Sequence, residues 1–222
     1  MKRSIPLKIA ILGGTGNEGF GLGFRWATAG HEIIIGSRLA EKGAAAAADM
    51  RDKLAGKANV SGADNLTAAQ QAEVVVLSVP YQAQAATLEQ ARPGLQDKLL
   101  ITVVAPSGEK KARVYTLESG LSAAEEAQGQ LGEASRVVAA FQNIGAHHLL
   151  DLEHALDCDV LVCGEKKEDK AIAMQLCADA GLRGVNAGAL QNARAVEGLT
   201  AVLIAINVIH KSPSAGIRIT GI

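Results

Sequence analysis

Ile9-Ala10-Ile11-Leu12-Gly13-Gly14-Thr15-Gly16-Asn17-Glu18-Gly19 is an apolar run that feeds a glycine-rich turn near the N-terminus. Gly14, Gly16 and Gly19 satisfy G-x-G-x-x-G. The spacing has a physical purpose: one glycine for a tight turn, one for backbone approach to a pyrophosphate, one for close packing of helix on strand. A helix from Phe20 to Ala29 would aim its first N–H groups at the phosphates. After Gly30 a second apolar run, Glu32-Ile33-Ile34-Ile35-Gly36, completes a βαβ unit. This pattern predicts a dinucleotide site built from Gly14, Thr15, Gly16, Asn17, Glu18 and Gly19. The plainer alternative is a glycine-rich turn in an α/β protein without a nucleotide.

The end of the second strand bears on which dinucleotide. A ribose 2′-hydroxyl is usually held there by Asp or Glu, about 20 residues past the glycines. This chain has Gly36-Ser37-Arg38, with Lys42 beyond, and no carboxylate before Glu41. Ser37 offers a hydroxyl, Arg38 a guanidinium that pairs with phosphate and stacks on adenine, and Lys42 a point charge. If residues 38–50 are helical, Arg38 and Lys42 share a face. The set favours NADP(H) over NAD(H); its alternative is a pair of solvated surface cations.

Outward from the loop, strands and helices alternate. Leu7–Leu12, Ile33–Ile35, Val60–Gly62, Val74–Val79, Leu99–Val104 and Arg136–Phe141 read as strands. Helices are expected between them, including one that carries the alanine tract Ala44–Ala48 and another over Gln82–Ala91. The β-branched run Val74-Val75-Val76, stopped by Pro80, reads as a buried parallel strand. The expected fold class is α/β, a Rossmann-type doubly wound parallel sheet, with ligands beyond the carboxyl ends of its strands. Ser78, Val79, Pro80 and Ala105 should therefore flank the inner half of the cofactor. After Asn143 the pattern loosens, with a short strand Val160–Cys163, a helix Glu168–Ala180, an extended Arg183–Asn186 and a long apolar helix Leu190–His210. This predicts a Rossmann domain over 1–143 and a small α+β C-terminal domain over 144–222.

The 222 residues suffice for a core that buries about 70–75% of the unfolded surface. A net charge of −1 gives no case for nucleic acid or an anionic membrane. Cys158, Cys163 and Cys177 form no C-x-x-C pair and read as reduced core thiols, and no metal site is expected. Met1-Lys2-Arg3 leads into no signal peptide, and Leu199–Ile209 is too short to span a bilayer, so a cytoplasmic protein is expected. That apolar helix is expected in a deep core or a subunit interface. Lys110, Lys111, Lys166, Lys167 and Lys170 sit in polar stretches and form no catalytic constellation.

The chain resembles the F420-dependent NADP reductase family. The matching segments run in order through Ala10–Gly16 with Gly19, Gly30-His31-Glu32-Ile33 into Ser37, Arg38 and Lys42, and Ser78-Val79-Pro80. They continue through Val137–Phe141, Asp159–Gly164, Asn186–Leu190, Asn192-Ala193-Arg194 and Glu197–Thr200. The resemblance implies an oxidoreductase that exchanges two electrons between NADP(H) and the 5-deazaflavin coenzyme F420, in a homodimer with a small C-terminal domain. Hydride exchange between two carriers asks mainly for positioning. The family pattern places a His-containing segment after the sixth strand; here it reads Phe141-Gln142-Asn143-Ile144-Gly145-Ala146-His147-His148. Gln142 can hydrogen-bond but cannot carry a proton. His147 and His148 read either as contacts for an acidic coenzyme tail or as ordinary loop histidines. The acceptor pocket is expected between Pro80 and Tyr81, Gln142 and Ile144, and Cys163 and Gly188. Two other functions remain open: NADPH-dependent reduction of another acceptor (a flavin, a metal chelate or a small carbonyl), and NADP sensing without turnover.

Overall fold

The computed structural model describes residues 5–108, 112–212 and 214–222. The readings of Met1–Arg3, Lys110 and Lys111 lie outside the described residues. Eight strands form one sheet: β1 (Lys8–Leu12), β2 (Glu32–Ser37), β3 (Val60–Asp64), β4 (Val74–Leu77), β5 (Leu99–Thr102), β6 (Arg136–Ala139), β7 (Asp159–Gly164) and β8 (Arg183–Asn186). Their order is β3-β2-β1-β4-β5-β6-β7-β8. Strands β1 to β6 pair in parallel. Among the described residues seven α-helices pack around them: α1 (Asn17–Ala29), α2 (Ala40–Lys53), α3 (Asn65–Gln71), α4 (Tyr81–Ala91), α5 (Ala123–Leu131), α6 (Lys167–Asp179) and α7 (Ala193–His210).

Alternation along each strand sorts side chains into two cores, one on each face of the sheet. Ile9, Ile11, Ile33, Ile35, Val74 and Val76 share one core with Leu22 and Trp26 of α1. Ala10, Leu12, Ile34, Val75 and Leu77 share the other with Ala68 of α3 and Leu88 of α4. Both faces are covered, which is why these strands are apolar throughout.

The expected break after Asn143 takes a specific form. β7 pairs with β6 antiparallel, Ala139 opposite Cys163, and β8 then runs parallel to β7. Val160, Val162, Ala173 and Leu176 enter the same core as β1. Residue 144 thus marks where strand direction is about to reverse, within one continuous sheet. The sixth strand ends at Ala139 rather than Phe141, because Phe141 adopts φ +74°. That left-handed conformation is costly for a bulky residue. Burial holds it there: the fully buried Phe141 ring meets Trp26 edge-on at 5.7 Å, and Trp26 Nε1 donates to the Leu176 carbonyl at 2.8 Å.

α7 and the helical turn before it make a 21-residue stretch, Leu190–His210, apolar and long enough to cross a membrane by length and composition. The Leu199–Ile209 count understates it. Polar bonds tie its first half to the fold. The buried Glu197 carboxylate accepts from Ala123 N at 2.8 Å and Ala124 N at 3.0 Å at the start of α5, and Arg194 pairs with Glu125 at 2.6 Å.

Candidate functional site

The glycine loop is shaped by its backbone. Gly13 takes φ +74°, so the turn's left-handed residue is the glycine before the motif. Gly14 N donates to the carbonyls of Ile11 and Gly36, each at 3.1 Å. A Cβ on Gly14 would lie 2.8 Å from Ile11 O, so this position admits no side chain. A Cβ on Gly19 would lie 2.9 Å from Ser78 Oγ and 3.1 Å from Gly14 Cα, which is the helix–strand approach expected of the third glycine. Gly16 is different. A Cβ there would meet only Gly13 O, at 3.7 Å, so its open side faces space rather than protein.

Gly16 is the N-cap of α1 and provides no side-chain cap, so the first N–H groups of that helix keep their capacity for an anion. Glu18 stands in this first turn. The residue as a whole is half-buried, but its Oε1 is shielded and without a hydrogen-bond partner. Burial pushes its carboxyl up to about 8. The neutral acid is thereby favoured, which weakens its repulsion of a phosphate.

A cavity of about 670 Å³ opens beside this loop. Gly13, Thr15 and Gly16 line it from the loop, Ser37, Arg38 and Lys42 from the end of β2 and the start of α2, and Ser78, Val79 and Pro80 from the end of β4. Arg38 precedes α2 rather than sharing a helix face with Lys42, yet both reach the same cavity. Asn65 lines it as well; it is 1% exposed and its Oδ1 has no partner. An unmet buried acceptor in a cavity marks a place for a ligand donor. Sequence reading missed Asn65. The available signal was Asp64, which caps α3 by accepting from Thr67 N at 3.0 Å, in the short stretch after β3.

A second cavity, of about 680 Å³, shares Thr15 with the first as a lining residue. Asn17 and Phe20 form its floor, the loop from Gln142 to His147 one wall, and Thr200, Leu203, Ile204 and Asn207 of α7 another. The loop is held firmly. Gln142 Nε2 donates to Thr102 O at 2.8 Å, and Thr200 Oγ1 donates to Gln142 O at 2.8 Å. Asn143 Nδ2 donates to Asp159 O at 2.6 Å. Gln142 Oε1 is buried and unpartnered at this wall, the second such acceptor in the adjoining pair.

The residues expected around the acceptor separate. Gln142 and Ile144 line the second cavity and Pro80 the first. Tyr81 lines neither; its hydroxyl donates to Glu126 at 2.7 Å, a carboxylate that pushes the phenol up to about 12. Cys163 is fully buried against the α5 side of the sheet, where burial pushes its thiol up to about 11. Gly188 accepts through its carbonyl from Gly164 N and from Lys170 Nζ, both at 3.0 Å, and lines neither cavity. The half-buried Ala105 also lies off both. His147 lines the second cavity, whereas His148 faces a third, smaller one.

The cleft fits a dinucleotide that carries an extra phosphate: an uncapped helix N-terminus, two cations without a carboxylate at the ribose position, and open space at Gly16. Comparison with known proteins agrees. Residues 8–106 match the family model described as NADP oxidoreductase coenzyme F420-dependent. The chain is 41% identical over 229 residues to the F420-dependent NADP reductase of Methanothermobacter thermautotrophicus, which covers 100% of this chain and 98% of that protein. It is 40% identical to the enzyme of the same description from Methanocaldococcus jannaschii, over 97% of this chain and 99% of the other. A solved structure from Arthrobacter sp. FB24, provisionally described as an F420-dependent NADP-reductase, aligns with TM-score 0.81 at 26% identity, over 97% of this chain and 100% of that one. Plasmodium falciparum pyrroline carboxylate reductase shares the fold at TM-score 0.58 and 13% identity, over 92% of this chain and 67% of that one. Identity of this extent over the whole length of both proteins makes this chain a member of the F420-dependent NADP reductase family.

Proposed function

We propose that the two adjoining cavities hold the two coenzymes of an F420-dependent NADP oxidoreductase, NADP(H) along the glycine loop and F420 against Ile144 and α7. The single observation that carries this placement is Thr15, which lines both cavities. The coenzymes supply the chemistry, a hydride exchanged between NADPH and F420. The chain's residues bind, orient and exclude water. The backbone at Gly16 and the first N–H groups of α1 take the pyrophosphate; Ser37, Arg38 and Lys42 take the 2′-phosphate. Asn65 Oδ1 accepts from the ligand at the same end. Phe20, Ile144, Leu203 and Ile204 give the second cavity an apolar lining suited to a flat ring. Gln142 Oε1 and Asn207 supply polar anchors, with His147 and the Asp49–Lys53 ion pair at the rim. Gln142 stands where the family pattern places a histidine, and it holds no proton to give. Its fixed amide therefore orients the acceptor, and the proton that accompanies the hydride comes from another donor or from water.

The second half of α7 supports a homodimer. Val202, Ile206 and Ile209 recur at i, i+4 and i+7 on one exposed face, with Val208 beside them. An apolar face of this kind on a protein surface marks an interaction site.

The test is a kinetic one: purified protein with NADPH, offered F420 and, separately, FMN, with absorbance followed at each acceptor. Reduction of F420 alone supports the reading. Reduction of FMN alone would assign the second cavity to a flavin, and reduction of neither would leave a nucleotide-binding module.

A further inference from the structure

We propose that the turn between the second cavity and β7 is a binding site for a divalent transition-metal ion of the zinc class, ligated by His148, Asp151 and His154. The spacing is His-x2-Asp-x2-His, which winds the three side chains around one irregular turn. Their ligand atoms all lie within 4.8 Å of one another. The two imidazoles stack with centroids 3.9 Å apart and planes 18° from parallel, which brings their nitrogens together; one ring must rotate for both in-plane lone pairs to reach a common ion. Among the described residues neither ring makes a hydrogen bond. Asp151 Oδ1 accepts from Glu153 N at 3.1 Å and His154 N at 3.2 Å, which orients the carboxylate and leaves Oδ2 free.

The turn beneath these side chains is built. Arg25 of α1 is 7% exposed and donates to four carbonyls: His148 at 2.9 Å, Leu149 at 2.9 Å, Asp151 at 2.7 Å and Ala180 at 3.1 Å. Leu149 is buried against Gly21, where an added Cβ would lie 2.5 Å from the leucine Cβ. The backbone carrying the ligands is thus fixed by one buried guanidinium and one buried side chain. Support of this kind raises the affinity of a ligand set.

Two imidazole nitrogens and one carboxylate oxygen suit Zn²⁺, Co²⁺, Ni²⁺ or Cu²⁺ and are a poor match for Mg²⁺ or Ca²⁺, which prefer oxygen. Tetrahedral bonds of about 2.0–2.1 Å place ligand atoms about 3.3 Å apart, so closure from 4.8 Å needs about 1.5 Å of side-chain motion. Asp151 and His154 are exposed, which permits that motion, gives the ion an entry path and leaves remaining positions to water. The Arg25 charge lies on the backbone side and opposes the cation, so the affinity is below that of a four-ligand structural site. The segment Ile144–His147 leads into this turn and walls the second cavity, so an ion here stiffens that wall whichever acceptor the cavity takes.

The test uses the full chain, free of any affinity tag and stripped with chelator, titrated with Co²⁺ by visible absorption and with Zn²⁺ by calorimetry. One ion per chain is expected, with nitrogen and oxygen rather than thiolate ligation. His148→Ala and His154→Ala should each weaken it ~10- to 100-fold, while His210→Ala leaves it unchanged. Zinc should raise the thermal midpoint of the native chain and of His210→Ala but not of His154→Ala. No binding by the native chain, or binding that survives both substitutions, overturns the proposal. Should His148→Ala fail to fold, the exposed His154→Ala decides alone.

Discussion

Gly14→Ala and Gly16→Ala should fail in opposite ways, although they sit two residues apart in one loop. At Gly16 the backbone has φ −79° and ψ 159°, which alanine adopts without strain, and the nearest atom to an added Cβ is Gly13 O at 3.7 Å. Lost N-cap preference and reduced unfolded-state entropy nearly offset, so stability should change by about 1 kcal/mol or less. The new methyl group instead occupies the space in which backbone approaches the pyrophosphate. Overpacking of that contact costs about 1–3 kcal/mol, a loss of roughly 5- to 150-fold in NADPH affinity. At Gly14 the added Cβ lies 2.8 Å from Ile11 O and 3.1 Å from Ile11 Cβ, so the turn that pairs Gly14 N with Ile11 and Gly36 must open. The same 1–3 kcal/mol of overpacking then falls on the fold, and the thermal midpoint should drop by about 2–12 °C. Calorimetric NADPH titration and thermal unfolding separate the two. A Gly16→Ala protein with native NADPH affinity would show that the dinucleotide lies elsewhere.

Arg38→Ala should weaken NADPH binding by roughly 10- to 150-fold, the worth of one charge-assisted hydrogen bond, and leave NADH binding nearly unchanged; parallel titrations with both nucleotides check it, and equal losses would refute the 2′-phosphate role. Burial raises the Glu197 carboxyl from an ordinary 4.5 to about 7. Its folded pKa exceeds its unfolded one, so its contribution to stability is complete below pH 4.5 and is lost as pH rises through 7, by about 3 kcal/mol. Glu197→Gln should flatten that part of the profile of thermal midpoint against pH, while Glu18, raised to about 8, keeps a residual slope in the same direction; an unchanged profile would deny the Glu197 shift. Ile206→Glu with Ile209→Glu should convert a dimer of twice the chain mass into a monomer by light scattering; a native chain that is already monomeric at micromolar concentration would remove the dimer.

The glycine loop and the β-branched strands were legible because each is a local pattern, as was the grouping of Ser37, Arg38 and Lys42 that line one cavity. The α3 helix was not. Its seven residues, Asn65–Gln71, are polar and alanine-rich, too short for a 3.6-residue period to register, although the Asp64 cap was there to read. The reversal at β7 was also missed. A parallel crossover needs a connection of a dozen or more residues, usually with a helix. The stretch from Ala140 to Cys158 holds only one 3₁₀ turn, of three residues, which argued for an antiparallel partner. Cys163, expected on the small-domain side of the cleft, stands instead opposite Ala139 in the continuous sheet, with its side chain in the core on the α5 face. The His148–Asp151–His154 turn was hidden for another reason: its shape depends on surroundings from distant segments, Arg25 of α1 above all.

The central claim is that the acceptor binds in the cavity walled by Ile144 and α7, against the dinucleotide cleft at Thr15. Its most direct test is the single-turnover rate of F420 reduction in Ile144→Trp, measured beside the NADPH dissociation constant of the same protein. Ile144 lines the second cavity and is absent from the first, so an indole there should block the acceptor and spare the nucleotide. The account predicts native NADPH affinity with F420 reduction reduced by more than ~10-fold. A full rate of F420 reduction in that variant would contradict it and place the acceptor elsewhere on the protein.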